Sequence, residues 1–464
     1  MMLLLILAVL VPLWVRMRKD FVGALCYAIV ILLTFPTVIR IEMPGSLPQL
    51  TVQRLVILSL FVGWFSLRDR RPIREVPFRG LMAGWACLAL VSLIGAVDQV
   101  AGIKRYLEFV LELFVFYFIL ATTLKDRADA FRLLRSAVIG ISIVASLAIA
   151  ERYTGINVVD RFIGADPEAS YGRDVRVTYR HRILLGAGMA MGFPLAMAMI
   201  HLASTKARRW LAWMALAMMM AACYYAMSRG PWLAAFLAVA VMIVFGTVTL
   251  RKPLMILGTA ALLILVARPG VLETLSGYAS ATVNTDSFKG GTFQYRLELW
   301  TVAWNGISHS PWRLLLGNGP AAGLNRSIDW KLSYRGRDYN IESWDNDLAY
   351  SLFQYGILGL IITLTLYGRI AWQLLATARA SPGVQRDIYV CLCASAVVLL
   401  FMLSNVHIFA RQLYYLFWAL TAIGFALAHP ATESDESSGL SEASNEADME
   451  LQFAETHESP NARR

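Results

Sequence analysis

The fold is decided by residues 210–250, whose sequence is WLAWMALAMMMAACYYAMSRGPWLAAFLAVAVMIVFGTVTL. It contains two apolar runs, 210–227 and 231–250, and a run of about 17–25 apolar residues is long enough to cross a bilayer. Ser228-Arg229-Gly230-Pro231 joins the runs in a short connector, and glycine and proline permit the sharp reversal that it needs. The stretch therefore predicts a helical hairpin in a membrane that holds Arg229 at the mouth of a bundle.

The same pattern extends along the whole chain of 464 residues, which is 58% hydrophobic and 16% charged. About a quarter of the residues in a soluble domain are charged, so lipid must cover much of this apolar surface. The sequence predicts an all-α fold, a polytopic transmembrane helical bundle of about 12–13 spans. The apolar runs are 2–15, 21–39, 50–67, 81–97, 106–124, 136–150, 183–203, 210–227, 231–250, 254–267, 348–368, 388–407 and 412–428.

The basic residues indicate how the bundle is oriented. One set of alternate connectors holds twenty of them, whereas the short connectors of the other parity hold five. Because basic connectors stay in the cytoplasm, we expect the N-terminus outside and the C-terminal tail in the cytoplasm. The net charge of +10 then reflects orientation and lipid contact, and no nucleic acid is expected as a partner.

Four regions follow from this arrangement. The first ten spans occupy residues 1–267 with an outer loop at 151–182, a large outer loop covers 268–347, and the remaining spans cover 348–428. The acidic tail, 429–464, lacks the apolar residues needed for a core, so we expect it to be disordered.

The large outer loop is predicted to contain one amphipathic helix, Tyr295–Ser308, with Leu297, Trp300, Trp304 and Ile307 on its apolar face. The loop also holds five of the thirteen tryptophans: Trp300, Trp304, Trp312, Trp330 and Trp344. These side chains are either interfacial anchors or platforms that stack on sugar rings.

Several arginines lie on the outer side of the membrane. The enrichment of basic residues in cytoplasmic connectors does not account for them. The guanidinium of Arg229 can bind a phosphate through two parallel hydrogen bonds, although an arginine at this position can also simply snorkel to the interface. Arg176, Arg180, His181 and Arg182 lie just before the span that begins at 183. This second group suits an anionic headgroup, and its alternative role is attraction to lipid phosphates.

Carboxylate side chains occur at two further positions of interest, one where the large loop re-enters the membrane and one within a span. Asp345, Asn346 and Asp347 lie where the large loop re-enters the membrane. One of them can cap a helix, and a base at the membrane surface is the sharper interpretation. Glu108 and Glu112 lie on one face of a span with Lys104 one turn earlier, and they are interpreted as structural, in an i,i+4 ion pair at the outer end of the span. The sequence has no metal-ligand spacing or glycine-rich nucleotide motif, so no cofactor and no metal site is predicted.

Taken in order, four motifs resemble the O-antigen ligase and polymerase superfamily of integral membrane glycosyltransferases. The motifs are Arg176 followed by His181–Gly186, then Ser228-Arg229-Gly230, then Tyr295–Trp300 followed by Pro311 and Leu316–Gly319, and finally Asp345–Leu348 running into Gln354–Leu360.

This resemblance implies transfer of a glycan from a polyprenyl pyrophosphate carrier on the periplasmic face of the bacterial inner membrane. The reaction would be inverting and metal-independent, with Arg229 as the leading pyrophosphate ligand. Arg176, Arg180 and Arg182 become candidates for a second contact, and Arg296 for holding the loop or the glycan. His181, Asn346 and Asp347 complete the predicted substrate-binding group.

One departure from the family pattern favours a particular reaction. Ligases of this superfamily typically carry a histidine immediately before the asparagine at loop re-entry, where this chain has Asp345. That difference favours an exopolysaccharide-type polymerase in which Asp345 is the base.

Three other functions remain open at this level. They are a ligase that moves the glycan to lipid A-core or protein, a lipid-linked sugar flippase or transporter, and a scaffold in a secretion complex. The expected partners are the lipid-linked glycan and membrane lipid, and chain-length regulators or export proteins are further candidates.

Overall fold

A computed structural model describes residues 2–41, 49–163, 175–267, 288–324, 331–334, 337–340, 344–408 and 412–429. The predictions made for Trp330 and for residues 430–464 of the tail lie outside these ranges. Within them the chain is built from α-helices, short 3₁₀ turns and two small antiparallel hairpins, Arg40–Ile41 with Leu50–Thr51 and Lys331–Tyr334 with Arg337–Asn340. This confirms the all-α fold class.

The helices are numbered here in chain order. They are α1 (Met2–Lys19), α2 (Phe21–Thr34), α3 (Val52–Phe65), α4 (Arg79–Ser92), α5 (Gln99–Phe109), α6 (Phe116–Thr123), α7 (Arg127–Thr154), α8 (Val158–Ile163), α9 (Arg182–Leu202), α10 (Lys206–Tyr225), α11 (Arg229–Phe245), α12 (Val248–Ala267), α13 (Phe288–Ser308), α14 (Pro311–Leu316), α15 (Asp347–Ala380), α16 (Gly383–Met402) and α17 (Gln412–Ala428). A π-helical turn, Val110–Val115, joins α5 to α6.

Each apolar run predicted from the sequence coincides with one of these helices or, for 106–124, with the continuous α5–α6 segment. Among the described residues, five helical segments are long and apolar enough to cross a membrane: Gln99–Thr123, Arg127–Thr154, Arg182–Leu202, Asp347–Ala380 and Gly383–Met402. Several shorter apolar helices pack around them. The chain is therefore a polytopic helical membrane protein, and the exact number of spans stays a prediction.

The main core lies between the long helices. α9 is buried from Leu184 to Ala198 and α17 from Gln412 to Leu427, so these two helices occupy the centre of the bundle. Trp418, Tyr117 and Tyr367 are among its largest fully buried side chains. Close packing of this kind fixes the helix ends, and with them the residues at those ends.

A second, smaller core joins α13 to the first half of α15. Leu299, Ala303 and Ile307 of α13 are buried together with Trp344 and Phe353. The spacing of four residues places this stripe along one face of the helix.

The helix at Tyr295–Ser308 is thus confirmed, but its predicted apolar face is partly wrong. Ile307 is buried and Trp300 is half-buried, whereas Leu297 is 53% exposed and Trp304 is 50% exposed. The face that packs is the one whose small Ala303 lets the helix approach α15.

The tryptophans of the loop also divide into two groups. Trp344 is buried and donates a hydrogen bond to the carbonyl of Gly323 (3.2 Å), so it belongs to the core. Trp304 and Trp312 remain exposed, which suits either an interfacial or a sugar-stacking role.

A break in α15 connects this outer element to the membrane. Gly356 has φ 65° and ψ −165°, a combination that is essentially restricted to glycine. Such a residue interrupts the helical hydrogen-bond ladder, so carbonyl groups in the preceding turn need other donors. The backbone N–H of Asn318 donates to the Phe353 carbonyl (3.0 Å), and that of Gly319 donates to the Gln354 carbonyl (2.9 Å).

The two motifs that meet at this break also need glycine for space. A Cβ atom on Gly317 would collide with the backbone of Gln354, and one on Gly356 would collide with the carbonyl of Leu315. The motifs Leu316–Gly319 and Gln354–Leu360 are therefore two halves of one joint, called here the loop–span joint. Its half in α15 begins about two helical turns after Asp347.

We predict that Gly356→Ala destabilises the protein, because alanine costs about 1–3 kcal/mol in this backbone conformation and also meets the Leu315 carbonyl. Gly368→Ala is the matched control in the same helix, since an added Cβ there meets nothing within 4 Å. Thermal unfolding of the purified protein should show a lower melting temperature for the first variant only. Equal melting temperatures for the two variants would contradict this account of the joint.

Candidate active site

Arg229 is the first residue of α11, and Ser228 occupies the N-cap position before it. The first turn of a helix presents unpaired N–H groups and the positive end of the helix dipole, both of which favour an anion. The arginine therefore adds a full positive charge to an end of α11 that is already electropositive.

The start of α9 lies beside the start of α11. A Cβ atom built on Gly186 would lie 2.8 Å from the Pro231 side chain, so glycine is what allows the two first turns to touch. Arg182 precedes Gly186 by four residues and lies on the same face of α9. Two helix starts that each carry an arginine are thus held side by side.

Arg296 comes from α13, in the outer loop. It lies three residues before Leu299, on the face of α13 that packs against α15. Its Nε atom is buried and has no hydrogen-bond partner within the described part of the chain. A buried guanidinium donor of this kind is available to an acceptor from outside the protein.

The environment of Arg296 brings three predicted residues together. Burial lowers the pKa of Arg296, the nearby Asp345 carboxylate raises it, and the positive charge of Arg229 lowers it. These three side chains come from α13, from the residue before the α15 cap and from the start of α11. They form the group called here the Arg229 cluster: Arg229, Arg296 and Asp345.

Asn346 and Asp347 have definite partners at the start of α15. Asn346 is the N-cap, and its side-chain oxygen accepts a hydrogen bond from the Ala349 N–H (3.0 Å). The Asp347 N–H donates to the Leu403 carbonyl (2.7 Å), and its carboxylate accepts from the Ile408 N–H (3.0 Å). The segment between α16 and α17 therefore holds the start of α15, and the predicted substrate contacts of Asn346 and Asp347 stay predictions.

His407 is a site residue that the sequence analysis missed. Its Nδ1 is hydrogen-bonded to the Asp347 carboxylate, and its Nε2 lies 3.5 Å from an Nη atom of Arg105. The edge of its ring packs on Tyr350, with ring centroids 4.7 Å apart. A histidine inside a predicted span was the available signal, because ionisable residues in spans are usually functional and partnered.

A series of ion pairs extends from Arg105 into the bundle. Arg105 pairs with Glu108 (3.2 Å), Arg54 pairs with Glu108 (3.0 Å), and Arg54 pairs with Glu112 (2.6 Å). An ion pair was predicted here with Lys104 one turn earlier, whereas the partners of the two glutamates are Arg105 and Arg54. Arg54 was hidden in an apolar run and reaches both carboxylates from α3.

A narrow polar cavity opens beside this chain of charges. Arg105, Asp347, Tyr350 and Gln354 are among the residues that line it. The Tyr350 hydroxyl and the Gln354 amide nitrogen are buried and lack a hydrogen-bond partner among the described residues. Polar atoms in such a cavity are suited to bind water.

The remaining predicted residues lie in the segment before α9. Arg176 pairs with Asp160 (3.3 Å), and Arg180 pairs with the other oxygen of the same carboxylate. His181 is at the N-cap position of α9 and is exposed. Because Asp160 neutralises part of their charge, Arg176 and Arg180 are weaker anion ligands in this structure than their number in the sequence indicates.

The described residues include no cluster of three His, Cys, Asp or Glu side chains with the arrangement of a metal site. The positive charge near Asp345 comes from arginine side chains and from the start of α11. This arrangement can bind and neutralise a phosphate-bearing group at the end of a bundle.

Comparison with known proteins agrees with this chemistry. Residues 214–364 match the family model described as O-Antigen ligase, an interval that contains the whole Arg229 cluster and the loop–span joint. No curated protein matches the chain. Together with the apolar helices, the match indicates a multi-pass protein of the bacterial inner membrane with a ligase- or polymerase-type role, and it fits both reactions equally. Residues 214–364, about a third of the chain, are thus similar to the O-antigen ligase family.

Proposed function

We propose that the protein polymerises polyprenyl-pyrophosphate-linked oligosaccharide repeat units on the outer face of the inner membrane. The product would be an exopolysaccharide or an O-antigen-like glycan. The observation that carries this proposal is the Arg229 cluster, in which Arg229 and Asp345 lie close enough to Arg296 for their charges to act on its pKa. The cluster lies at helix starts, where the large loop meets the bundle.

The arginines suit the leaving group of such a reaction. As the bond between the anomeric carbon and the pyrophosphate breaks, negative charge grows on the departing oxygen. Fixed positive groups at that point stabilise the transition state more than the ground state. Arg229, Arg296 and the first turn of α11 provide that charge, and the buried Nε donor of Arg296 provides a hydrogen bond.

The reaction joins two units with inversion at the donor sugar. An acceptor hydroxyl loses its proton and attacks the anomeric carbon from the side opposite the pyrophosphate. A new glycosidic bond forms, and polyprenyl pyrophosphate leaves with the bonding electrons. The sequence-based candidate for the base is Asp345, which in the structure lies near Arg296.

The family match fits a ligase as well, and the nature of the acceptor separates the two. The replacement of a histidine by Asp345 at loop re-entry favours the polymerase. A flippase would be expected to carry charges near mid-membrane. Arg54, however, is the third residue of α3, and Arg105 lies in α5 before the π-helical turn, so these charges stand toward one end of the bundle.

Purified protein in lipid nanodiscs, supplied with lipid-linked oligosaccharide as the only substrate, tests the proposed reaction. We expect a ladder of glycans on the carrier lipid, because a polymerase uses the same molecule as donor and acceptor. Product that appears only after lipid A-core or an acceptor protein is added would identify a ligase instead. Translocation without any new glycosidic bond would identify a flippase.

We also predict that Arg229→Gln lowers kcat/KM about 100-fold or more, the usual effect of removing one donor that stabilises a developing anion. Arg229→Lys should recover only part of the rate, because lysine keeps the charge but loses the paired donors of the guanidinium. Arg313→Gln is the matched control, since Arg313 is exposed on α14 in the same outer loop. Initial rates measured for folded variants of equal melting temperature check this prediction. A rate for Arg229→Gln within twofold of the wild type would remove Arg229 from the site.

A further inference from the structure

We infer that His407, oriented by Asp347, accepts the proton of the attacking sugar hydroxyl. The inference rests on the proposed glycosyl transfer and assigns its base to a residue outside the loop–re-entry motif. Asp345 then acts as the counter-ion that holds Arg296 beside Arg229.

The contacts of His407 fix its ring in a form that can accept a proton. Asp347 accepts a hydrogen bond from Nδ1–H, so the lone pair of the neutral imidazole is on Nε2. Asp347 is held in turn by the Ile408 N–H and by its own bond to the Leu403 carbonyl. A carboxylate that orients an imidazole and stabilises its protonated form is the arrangement used by general bases in many enzymes.

The Nε2 atom of His407 is within reach of a substrate. The His407 side chain keeps 19% of its surface exposed. Nε2 lies 3.5 Å from an Nη atom of Arg105, a distance longer than that of an ordinary hydrogen bond. A sugar hydroxyl can therefore replace this weak contact and donate to Nε2.

Charged side chains from several helices lie around His407. The groups that face His407 or connect to it are Asp347, Arg105, Glu108, Arg54 and Glu112. When the imidazole is neutral, three carboxylates face two guanidinium groups, and one proton on His407 balances the charge of the group. A positive charge that forms on the imidazole during the reaction lies directly beside the Asp347 carboxylate.

His407 also lies close to the arginines that are proposed to bind the leaving group. The segment from Leu403 to Ile408 touches the start of α15 through Asp347 and the start of α11 through Asn405. A Cβ atom on Gly230, the neighbour of Arg229, would lie 3.6 Å from the Asn405 side-chain oxygen. The segment that carries His407, the proposed base, thus also lies against Gly230, the neighbour of the proposed pyrophosphate ligand Arg229.

The proposed step is balanced within the reaction itself. The hydroxyl proton moves to Nε2 of His407 while the oxygen forms a bond to the anomeric carbon. The bond from that carbon to the pyrophosphate oxygen breaks, and its electron pair leaves with polyprenyl pyrophosphate. The imidazolium then releases the proton to water.

The test uses the full-length protein in nanodiscs with lipid-linked oligosaccharide, and compares His407→Ala, His407→Gln and His309→Gln. His309 is exposed at the end of α13, so His309→Gln is the control and should keep the wild-type rate. Both His407 variants should lose kcat about 100-fold or more, the usual share of a general base, with little change in KM. Glutamine keeps a hydrogen bond to Asp347, so His407→Gln separates loss of the base from loss of folding.

Chemical rescue provides a readout that a purely structural role would not move. Imidazole added to His407→Ala should restore turnover, because the truncated side chain leaves room beside Asp347, and it should not restore Asp345→Asn. Two results would overturn the inference if the wild type makes glycan. One is full turnover by His407→Gln, and the other is failure of imidazole to rescue either His407 variant although both are correctly folded. Absence of any glycan product with the wild type would instead overturn the proposed function, and this inference with it.

Discussion

The arrangement of the site depends on the hydrogen bonds between the loop and the broken helix α15. Buried backbone carbonyls must find donors, and within a membrane bundle water is scarce. Because Gly356 interrupts the helix, the Phe353 and Gln354 carbonyls take their donors from Asn318 and Gly319. One end of the large loop is thereby fixed to the span, and α13 is packed against the first half of α15.

This constraint explains why charged residues from distant parts of the chain meet at one place. Arg229 begins α11, Asp345 and Asp347 stand at the start of α15, and His407 lies just before α17. Helix starts carry unpaired N–H groups, so they tolerate polar side chains and attract anions. Packing of α13 against the first half of α15 adds Arg296 to the group. In the proposed reaction, the arginines bind the donor and the Asp347–His407 pair contacts the acceptor.

Much of this could be predicted from sequence, since hydropathy, helix breaks and turn residues act locally. The helices at the apolar runs, the position of Arg229 between two helices and the helix at Tyr295–Ser308 follow from such patterns. The contacts that could not be predicted are those made across long separations. His407 and Asp347 are sixty residues apart, Arg54 reaches Glu112 from another helix, and Asp160 engages both Arg176 and Arg180. Hydrophobicity alone also placed Trp304 on the packed face of α13, where the small Ala303 is what fits.

The most direct measurement is a structure of the protein with a lipid-linked oligosaccharide bound. The account predicts that the pyrophosphate lies within hydrogen-bond distance of the Arg229 and Arg296 guanidinium groups, with the acceptor hydroxyl at Nε2 of His407. A pyrophosphate bound at Arg176 and Arg180 instead, with no contact to Arg229, would contradict it.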